Sequence, residues 1–333
     1  MHPRYRNWET DSLPCDLAMQ TDIQAYNYRY MYFPGDGKRF PWMTFYQSEA
    51  STQAMGQNYF EMNLDKVIGL AYWGAIDYLG ESMGWPQKGW AQGVFYISLD
   101  PKPKAYYMRS FFKPDEPVVH MAVLQSEKHE MWNGVAMAND RMSENWNLSD
   151  GSKANIYIYT NGDEVELLLN GKSLGRKANP TDNAKLRNQI RWGEIDYKPG
   201  KLEAVAYKNG KVIARHALET TGKPAKIIAE PDNAEWKADG MDLQHVKLTV
   251  VDGKGRRVYN YNDELQFSVT GDANIVAVTN GDIATDEIAT QQHVRLWQGQ
   301  AVVILRSGCQ PSKVTLTTKP KTFKDIVTKL ETK

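Results

Sequence analysis

Residues 21–73 read TDIQAYNYRYMYFPGDGKRFPWMTFYQSEASTQAMGQNYFEMNLDKVIGLAYW. Three apolar runs organise this stretch. Asp22–Tyr28 reads as a buried strand, Trp42–Gln47 as a second introduced by Pro41, and Val67–Trp73 as a third. Between the last two, Met55, Tyr59, Met62 and Lys66 recur at helical spacing, which predicts a helix over Ala54–Lys66. A Gly- and Trp-rich loop runs from Gly74 to about Gln92, followed by a short strand or loop edge at Val94–Ile97. A last helix is predicted over Lys104–Phe112, entered through Pro101 and Pro103 and ended before Pro114. Continuous apolar strands alternating with helices predict a parallel α/β sheet or barrel.

Composition changes after this region. Of 37 Phe, Trp and Tyr residues, 24 lie within residues 1–115, as do 8 of 13 Met, which sets a boundary near Pro114–Pro117. The remainder is rich in Val, Thr, Lys, Asn and Gly at turn spacing. Asn155–Thr160 alternates, and Glu164–Leu169 with Lys172–Leu174 and Lys201–Tyr207 with Lys211–Ala217 read as hairpins closed by Asn170-Gly171 and Asn209-Gly210. Residues 116–222 thus read as an immunoglobulin-like sandwich. Ala225–Glu230, His245–Val251, Glu264–Thr270, Ile275–Val278, Ala301–Leu305 and Lys313–Thr318 predict a second sandwich over 223–333, linked through Gly222-Lys223-Pro224. The charged stretch Lys319–Lys333 is expected to pack loosely.

The chain has 333 residues, with 40 Lys plus Arg against 40 Asp plus Glu. Zero net charge argues against nucleic acid as the main partner. No apolar run approaches the ~20 residues of a membrane span, so no membrane partner is expected. The first 20 residues hold no apolar leader, so no secretory signal is expected and the compartment stays open. Cys15 and Cys309 are too few and too distant for a disulfide framework, and the six histidines show no ligand spacing. Neither a metal nor another cofactor is expected.

Glu49 follows the second apolar strand in Gln47-Ser48-Glu49. Tyr28 ends the strand before and Trp73 the strand after. Together they offer a carboxylate nucleophile, a phenol to hydrogen-bond it and an aromatic floor for a sugar ring. The plainer alternatives are a solvated strand-end glutamate and core aromatics. Tyr78, Trp85 and Trp90 add loop aromatics that tilt the balance towards a sugar cleft. Asn280-Gly281-Asp282 reads as a turn, and Lys102 and Lys104 as a solvated approach to the last helix.

The stretches TDIQAYNYRY, WMTFYQSEAS and VIGLAYWGAIDYLGE resemble the C-terminal part of the catalytic barrel of glycoside hydrolase family 2, the β-galactosidase group. Ser48-Glu49 matches the end of the family's nucleophile strand, and Trp73, Gly74, Asp77, Tyr78, Gly80 and Glu81 match its next conserved segment. EVELLLNGKSLG and KLEAVAYKNGKVIA resemble its accessory immunoglobulin-like domain; EWKADGMDLQHVKLTVVDGKGRRV resembles a further C-terminal sandwich. The resemblance implies the last strands of a (β/α)₈ TIM barrel in residues 1–115, with Glu49 as nucleophile and Tyr28, Trp73, Asp77, Glu81 and Trp85 binding a carbohydrate substrate.

A retaining glycosidase needs a second carboxyl about 5–5.5 Å from the nucleophile as acid/base. The family carries it in an Asn-Glu pair on an earlier strand, and no Asn-Glu precedes Glu49 here. The chain is therefore expected to be a C-terminal portion, inactive alone, that associates through an open barrel edge with an N-terminal half or with itself. The loop after Trp85 departs from the family's Arg-Ser-Ser-x-Phe-Gly pattern, which leaves the sugar open. The competing reading is a non-catalytic carbohydrate-binding or surface-interaction protein.

Overall fold

The computed structural model describes residues 20–62, 65–82, 84–126, 129–132, 135–138 and 141–333. The expectations for residues 1–19, Cys15 among them, lie outside these. Strands β1 (Ile23–Asn27), β2 (Thr44–Ala50) and β3 (Val67–Tyr72) pair in parallel in that order. Helices α1 (Phe33–Arg39) and α2 (Met55–Phe60) connect them.

Two local readings are corrected, and one helix lies where no element is predicted. First, β1 is not a buried strand: its residues alternate between exposed and half-buried, and Ile23 is 50% exposed. It is an edge of the three-stranded sheet. Second, α2 stops at Phe60, well short of Lys66. The Lys66 carbonyl instead accepts from Phe45 N (2.8 Å) and its ammonium reaches the Pro41 carbonyl. The helix without a predicted counterpart is α1, which arises from FPGDGKR. Pro34 sits in the first helical turn, where its missing N–H is harmless. Phe33 is fully buried and Tyr26 donates to Asp36 Oδ2 at 2.8 Å, so tertiary packing overrides the two glycines. Phe33, Phe40, Met43, Phe45, Met62 and Val67 form the core of this region.

The loop after β3 contains the short antiparallel strands β4 (Tyr78–Leu79) and β5 (Gly89–Trp90), and α3 (Pro103–Phe112) follows. Lys102, just before α3, is not solvated as its Pro-rich surroundings suggest. Its Nζ lies 2.7 Å from Asp77 Oδ1 and 2.8 Å from the Ala91 carbonyl. Gly93 N also donates to Asp77 Oδ1 (3.0 Å). Burial pushes the Asp77 carboxyl up and the Lys102 ammonium down, each push opposed by the partner's charge.

Strands β6 (Val119–Ser126), β7 (His129–Trp132), β8 (Val135–Ala138), β9 (Arg141–Ser143), β10 (Lys153–Thr160), β11 (Glu164–Leu169), β12 (Lys172–Ala178), β13 (Gln189–Asp196), β14 (Lys201–Lys208) and β15 (Lys211–Glu219) come next. They form the antiparallel sheets β13-β10-β6-β9 and β12-β11-β14-β15, with β7-β8 a separate hairpin. Inward residues of the two four-stranded sheets, including Met121, Ile156, Trp192, Leu167 and Leu202, make one core around the buried Trp146. The two Asn-Gly turns have positive φ at both residues, as a two-residue hairpin turn requires.

A second sandwich follows: β16 (Pro224–Pro231), β17 (Leu243–Asp252), β18 (Glu264–Thr270), β19 (Ala273–Thr279), β20 (His293–Arg295), β21 (Gln300–Ser307), β22 (Lys313–Pro320) and β23 (Ile326–Glu331). Its sheets run β16-β17-β21-β19 and β20-β18-β22-β23 around a shared core. The terminal stretch does not fray. Ile326 and Leu330 alternate inward onto the core, and Lys333 N donates to the Trp236 carbonyl (2.9 Å). The period-2 pattern inside a charged segment is what places it.

The regions are joined by specific contacts. Tyr107 of α3 stacks on Tyr159 at 5.1 Å, and Asn188 Nδ2 donates to the Ser110 carbonyl (3.2 Å). Asp100 pairs with Arg257 (3.3 Å) and Lys247 (3.5 Å) of the second sandwich. His120 on β6 lies between the rings of Tyr106 (3.5 Å) and His216 (4.2 Å), with its Nε2 2.8 Å from Glu144 Oε1. Tyr259 of the second sandwich donates to Glu144 Oε2 at 3.4 Å. Met121 N donates to His216 Nδ1 (3.2 Å). Burial, then the neighbouring His120, lowers His216 to about 4.

Two predictions follow from these joints. The unfolded chain protonates His216 near pH 6.5, whereas the folded chain resists until about pH 4. Stability should therefore fall as pH drops from 6.5 towards 4, by roughly 2–3 kcal/mol from this group. Melting temperature measured from pH 7 to pH 5 should show this slope, and His216→Gln should flatten it; an unchanged slope excludes His216 as its source. At the ion pair, Lys102→Met strands a buried carboxylate and should destabilise by about 3–5 kcal/mol. Adding Asp77→Asn should recover part of that loss in urea unfolding, and a double variant no more stable than the single would contradict it.

Candidate active site

Parallel pairing brings the C-terminal ends of β1, β2 and β3 to one edge. Tyr28 N donates to the Glu49 carbonyl (2.7 Å), and Trp73 N to the Ala50 carbonyl (2.9 Å). Glu49 lies within β2 rather than past it, because the strand extends to Ala50. The Tyr28 hydroxyl is hydrogen-bonded to the Glu49 side chain, and burial together with the Glu49 bond and charge pushes the phenol well up. A phenol that cannot ionise stays a donor, which suits it to orient a carboxylate.

The loop completes the cluster. Trp73 Nε1 donates to Tyr78 Oη at 3.1 Å, and the Tyr78 hydroxyl donates to Glu81 Oε2. Burial and the Glu81 bond push Tyr78 up to about 12. The Glu81 charge also raises Tyr28, which couples the two halves of the site. Tyr28 (φ 57°) and Glu81 (φ 46°) both occupy the left-handed region that non-glycine residues avoid. Such strain persists only where surrounding contacts over-determine it, and it concentrates at functional sites.

Of the residues expected from sequence, Tyr28, Glu49, Trp73 and Glu81 come together. Asp77 is elsewhere: it is 3% exposed and engaged with Lys102 and Gly93, so it shapes the loop. Trp85 is 83% exposed on the far part of the loop. Sequence reasoning missed Asn27, whose Oδ1 accepts from Ser48 Oγ at 2.5 Å beside Glu49. Its place at the end of β1, next to Tyr28, was the available signal. Tyr78 stood out only as a loop aromatic, and the geometry makes it the bridge between Trp73 and Glu81.

His120, Glu144 and His216 bring potential metal-ligating atoms within 4.8 Å of one another. Three features suit them to hydrogen bonding instead. Met121 N–H occupies His216 Nδ1, which puts the neutral ring's proton on Nε2. His120 is pressed between two rings, and its Nε2 already faces Glu144. The two imidazoles are tilted by 39° at a centroid separation of 4.2 Å, a ring-to-ring contact rather than a shared coordination plane.

Residues 227–328 match the family model for glycoside hydrolase family 2 C-terminal domain 5, and residues 151–214 match a domain of unknown function, DUF4982. β-Galactosidase BoGH2A of Bacteroides ovatus is 29% identical over 269 residues, covering 80% of this chain and 28% of the relative. A putative β-glucuronidase of Formosa agariphila is 26% identical over 277 residues, covering 81% of this chain and 25% of the relative. A solved glycosyl hydrolase family 2 member from Bacteroides cellulosilyticus superposes with a TM-score of 0.85 at 30% identity, over 94% of this chain and 42% of that one. The chain thus spans less than half the length of each of these proteins. Residues 227–328 match a glycoside hydrolase family 2 C-terminal domain, and the chain as a whole resembles the C-terminal part of that family's larger members.

Proposed function

We propose that this chain contributes the nucleophile half of a retaining β-glycosidase site, β-galactosidase-like, with Glu49 as the attacking carboxylate. The observation that carries this reading is the Tyr28–Glu49 hydrogen bond at the shared end of a parallel sheet, with Trp73, Tyr78 and Glu81 gathered beside it. The three strands are then the last of a (β/α)₈ barrel, whose active residues sit at strand C-termini. Residues 1–115 would be the barrel portion, 116–222 and 223–333 the two immunoglobulin-like accessory domains.

In this reading Glu49 attacks the anomeric carbon to form a glycosyl-enzyme, while Tyr28 holds the carboxylate in line. Trp73, steadied by Tyr78, offers its half-exposed face to the sugar. Glu81 binds substrate hydroxyls through its free oxygen. The acid/base comes from a strand earlier in the barrel, which would pair with the exposed edge of β1.

In a chain that also carries those earlier strands, Glu49→Gln should abolish kcat while leaving the fold intact, since an amide cannot attack the anomeric carbon. Tyr28→Phe should cost less, about 1.5–3 kcal/mol of transition-state stabilisation. An unchanged kcat for Glu49→Gln would return the residue to a solvated strand end.

The 333 residues alone should turn over an aryl β-galactoside at least ~10²–10⁴-fold more slowly than that longer chain. They should also self-associate through β1, or bind the complementary half. Full activity from a clean monomer, measured by light scattering and chromogenic assay, would refute both expectations.

A further inference from the structure

A cavity of about 600 Å³ lies between the loop that carries Glu81 and both sandwiches. Its walls include Trp85 and Tyr96 beside the barrel region, Arg141 and Asn145 of the first sandwich, and Asn260 and Trp297 of the second. Neither Glu49 nor Tyr28, Trp73 or Glu81 lines it. One loop thus has Glu81 against the carboxylate cluster and, four residues on, Trp85 in the cavity wall.

The cavity is built rather than incidental. Tyr96 and Trp297 pack edge-to-face at 5.1 Å in its wall. Asn145 Nδ2 donates to Asn260 Oδ1 (3.1 Å), joining the two sandwiches at its floor. Lys88 N donates to the Ile283 carbonyl (3.1 Å), so the second sandwich grips the loop directly. At Gly281 (φ 88°) an added Cβ would come within 2.8 Å of Ser98 Oγ, so only glycine allows that approach. These contacts fix the walls before any ligand arrives, which lowers the ordering cost of binding.

Its chemistry is selective. Ligand sites of about 300–1,000 Å³ combine aromatic walls with a few placed polar groups, and this cavity has both. The Trp85 ring is 83% exposed and the Trp297 ring half-buried. The negative face of an indole attracts the slightly positive C–H face of a pyranose. Asn260 Nδ2 and the Arg141 guanidinium have no hydrogen-bond or ion-pair partner among the described residues, so both can donate to hydroxyl or carboxylate oxygens.

We propose that this cavity is a second saccharide site, separate from the Glu49 cluster, that holds an oligosaccharide with its rings against Trp85 and Trp297 and its oxygens on Asn260 and Arg141. The choice of a saccharide as ligand class rests on the glycoside hydrolase reading. Its size suits roughly two or three pyranose units. Neutral hydroxyls and a uronate carboxylate are both compatible with Arg141.

Calorimetric titration of the 333-residue chain with β-1,4-galactotetraose and with trigalacturonate tests this. At least one probe should bind with Kd at or below about 1 mM. Trp85→Ala and Asn260→Ala, both at exposed positions, should each weaken it roughly tenfold. Arg141→Ala should weaken the uronate far more than the neutral chain. Glu49→Gln should leave Kd unchanged. Absence of binding by both probes, or binding that Trp85→Ala and Asn260→Ala leave intact, overturns the proposal. Binding that only Glu49→Gln removes would put the saccharide at the carboxylate cluster, which overturns the second site and leaves the glycosidase reading standing.

Discussion

The buried pair of Asp77 and Lys102 fixes the loop on which the rest of the site depends. Between these residues lie Tyr78, Glu81, Trp85 and the short β4–β5 ribbon. An ion pair with one partner 2% and the other 15% exposed is a weak source of net stability, because desolvation offsets most of the attraction. It is a strong source of uniqueness. A buried carboxylate without its ammonium, or the reverse, is so unfavourable that the loop has one acceptable closure. Gly93 N and the Ala91 carbonyl complete the hydrogen bonding and extend that constraint to the backbone.

The sandwiches act on the same loop from the other side. Asp100 faces Arg257 and Lys247, Tyr96 meets Trp297, and Lys88 meets the Ile283 carbonyl. Meanwhile α3 is held to the first sandwich by Tyr107 on Tyr159 and by Asn188 on Ser110. A short α/β region with an exposed sheet edge could not define a loop of this length by itself. Packing against two β-sandwiches supplies the missing restraint. The accessory β-structure is therefore part of what shapes the candidate site.

Much of the architecture is legible in the sequence because it rests on short-range signals. Asn170-Gly171 and Asn209-Gly210 mark hairpins through φ alone, and VIGLAYW marks a strand through unbroken apolarity. Tyr28, Glu49 and Trp73 are readable together because parallel strands align their ends. Features that depend on distant partners are not readable. FPGDGKR becomes a helix only because Phe33 and Asp36 are buried against β1 and β2. Lys102 looks solvated until Asp77, 25 residues away, is placed beside it. The grouping of His120, Glu144 and His216 joins three strands or strand ends of different hairpins, and no local spacing encodes it. The strand in Lys319–Lys333 was hidden by its charges, although its alternate apolar residues carried the signal.

The strained residues show how these levels connect. Tyr28 follows β1 directly and its N–H is bound to the Glu49 carbonyl, so parallel register fixes where its backbone turns. The turn forces a positive φ, which swings the phenol back over the sheet edge onto the Glu49 carboxylate. Glu81 turns in the same sense one loop later, and its carboxylate takes the Tyr78 hydroxyl that also accepts from Trp73. Each unfavourable backbone conformation is thus held by a charge-assisted hydrogen bond at its own side chain, worth about 1.5–3 kcal/mol, against a strain of about 1–3 kcal/mol. The near-balance makes each carboxylate a substantial part of what holds its turn. Replacing Glu49 by an apolar residue would release Tyr28 as well, so the nucleophile candidate and the phenol that orients it stand or fall together.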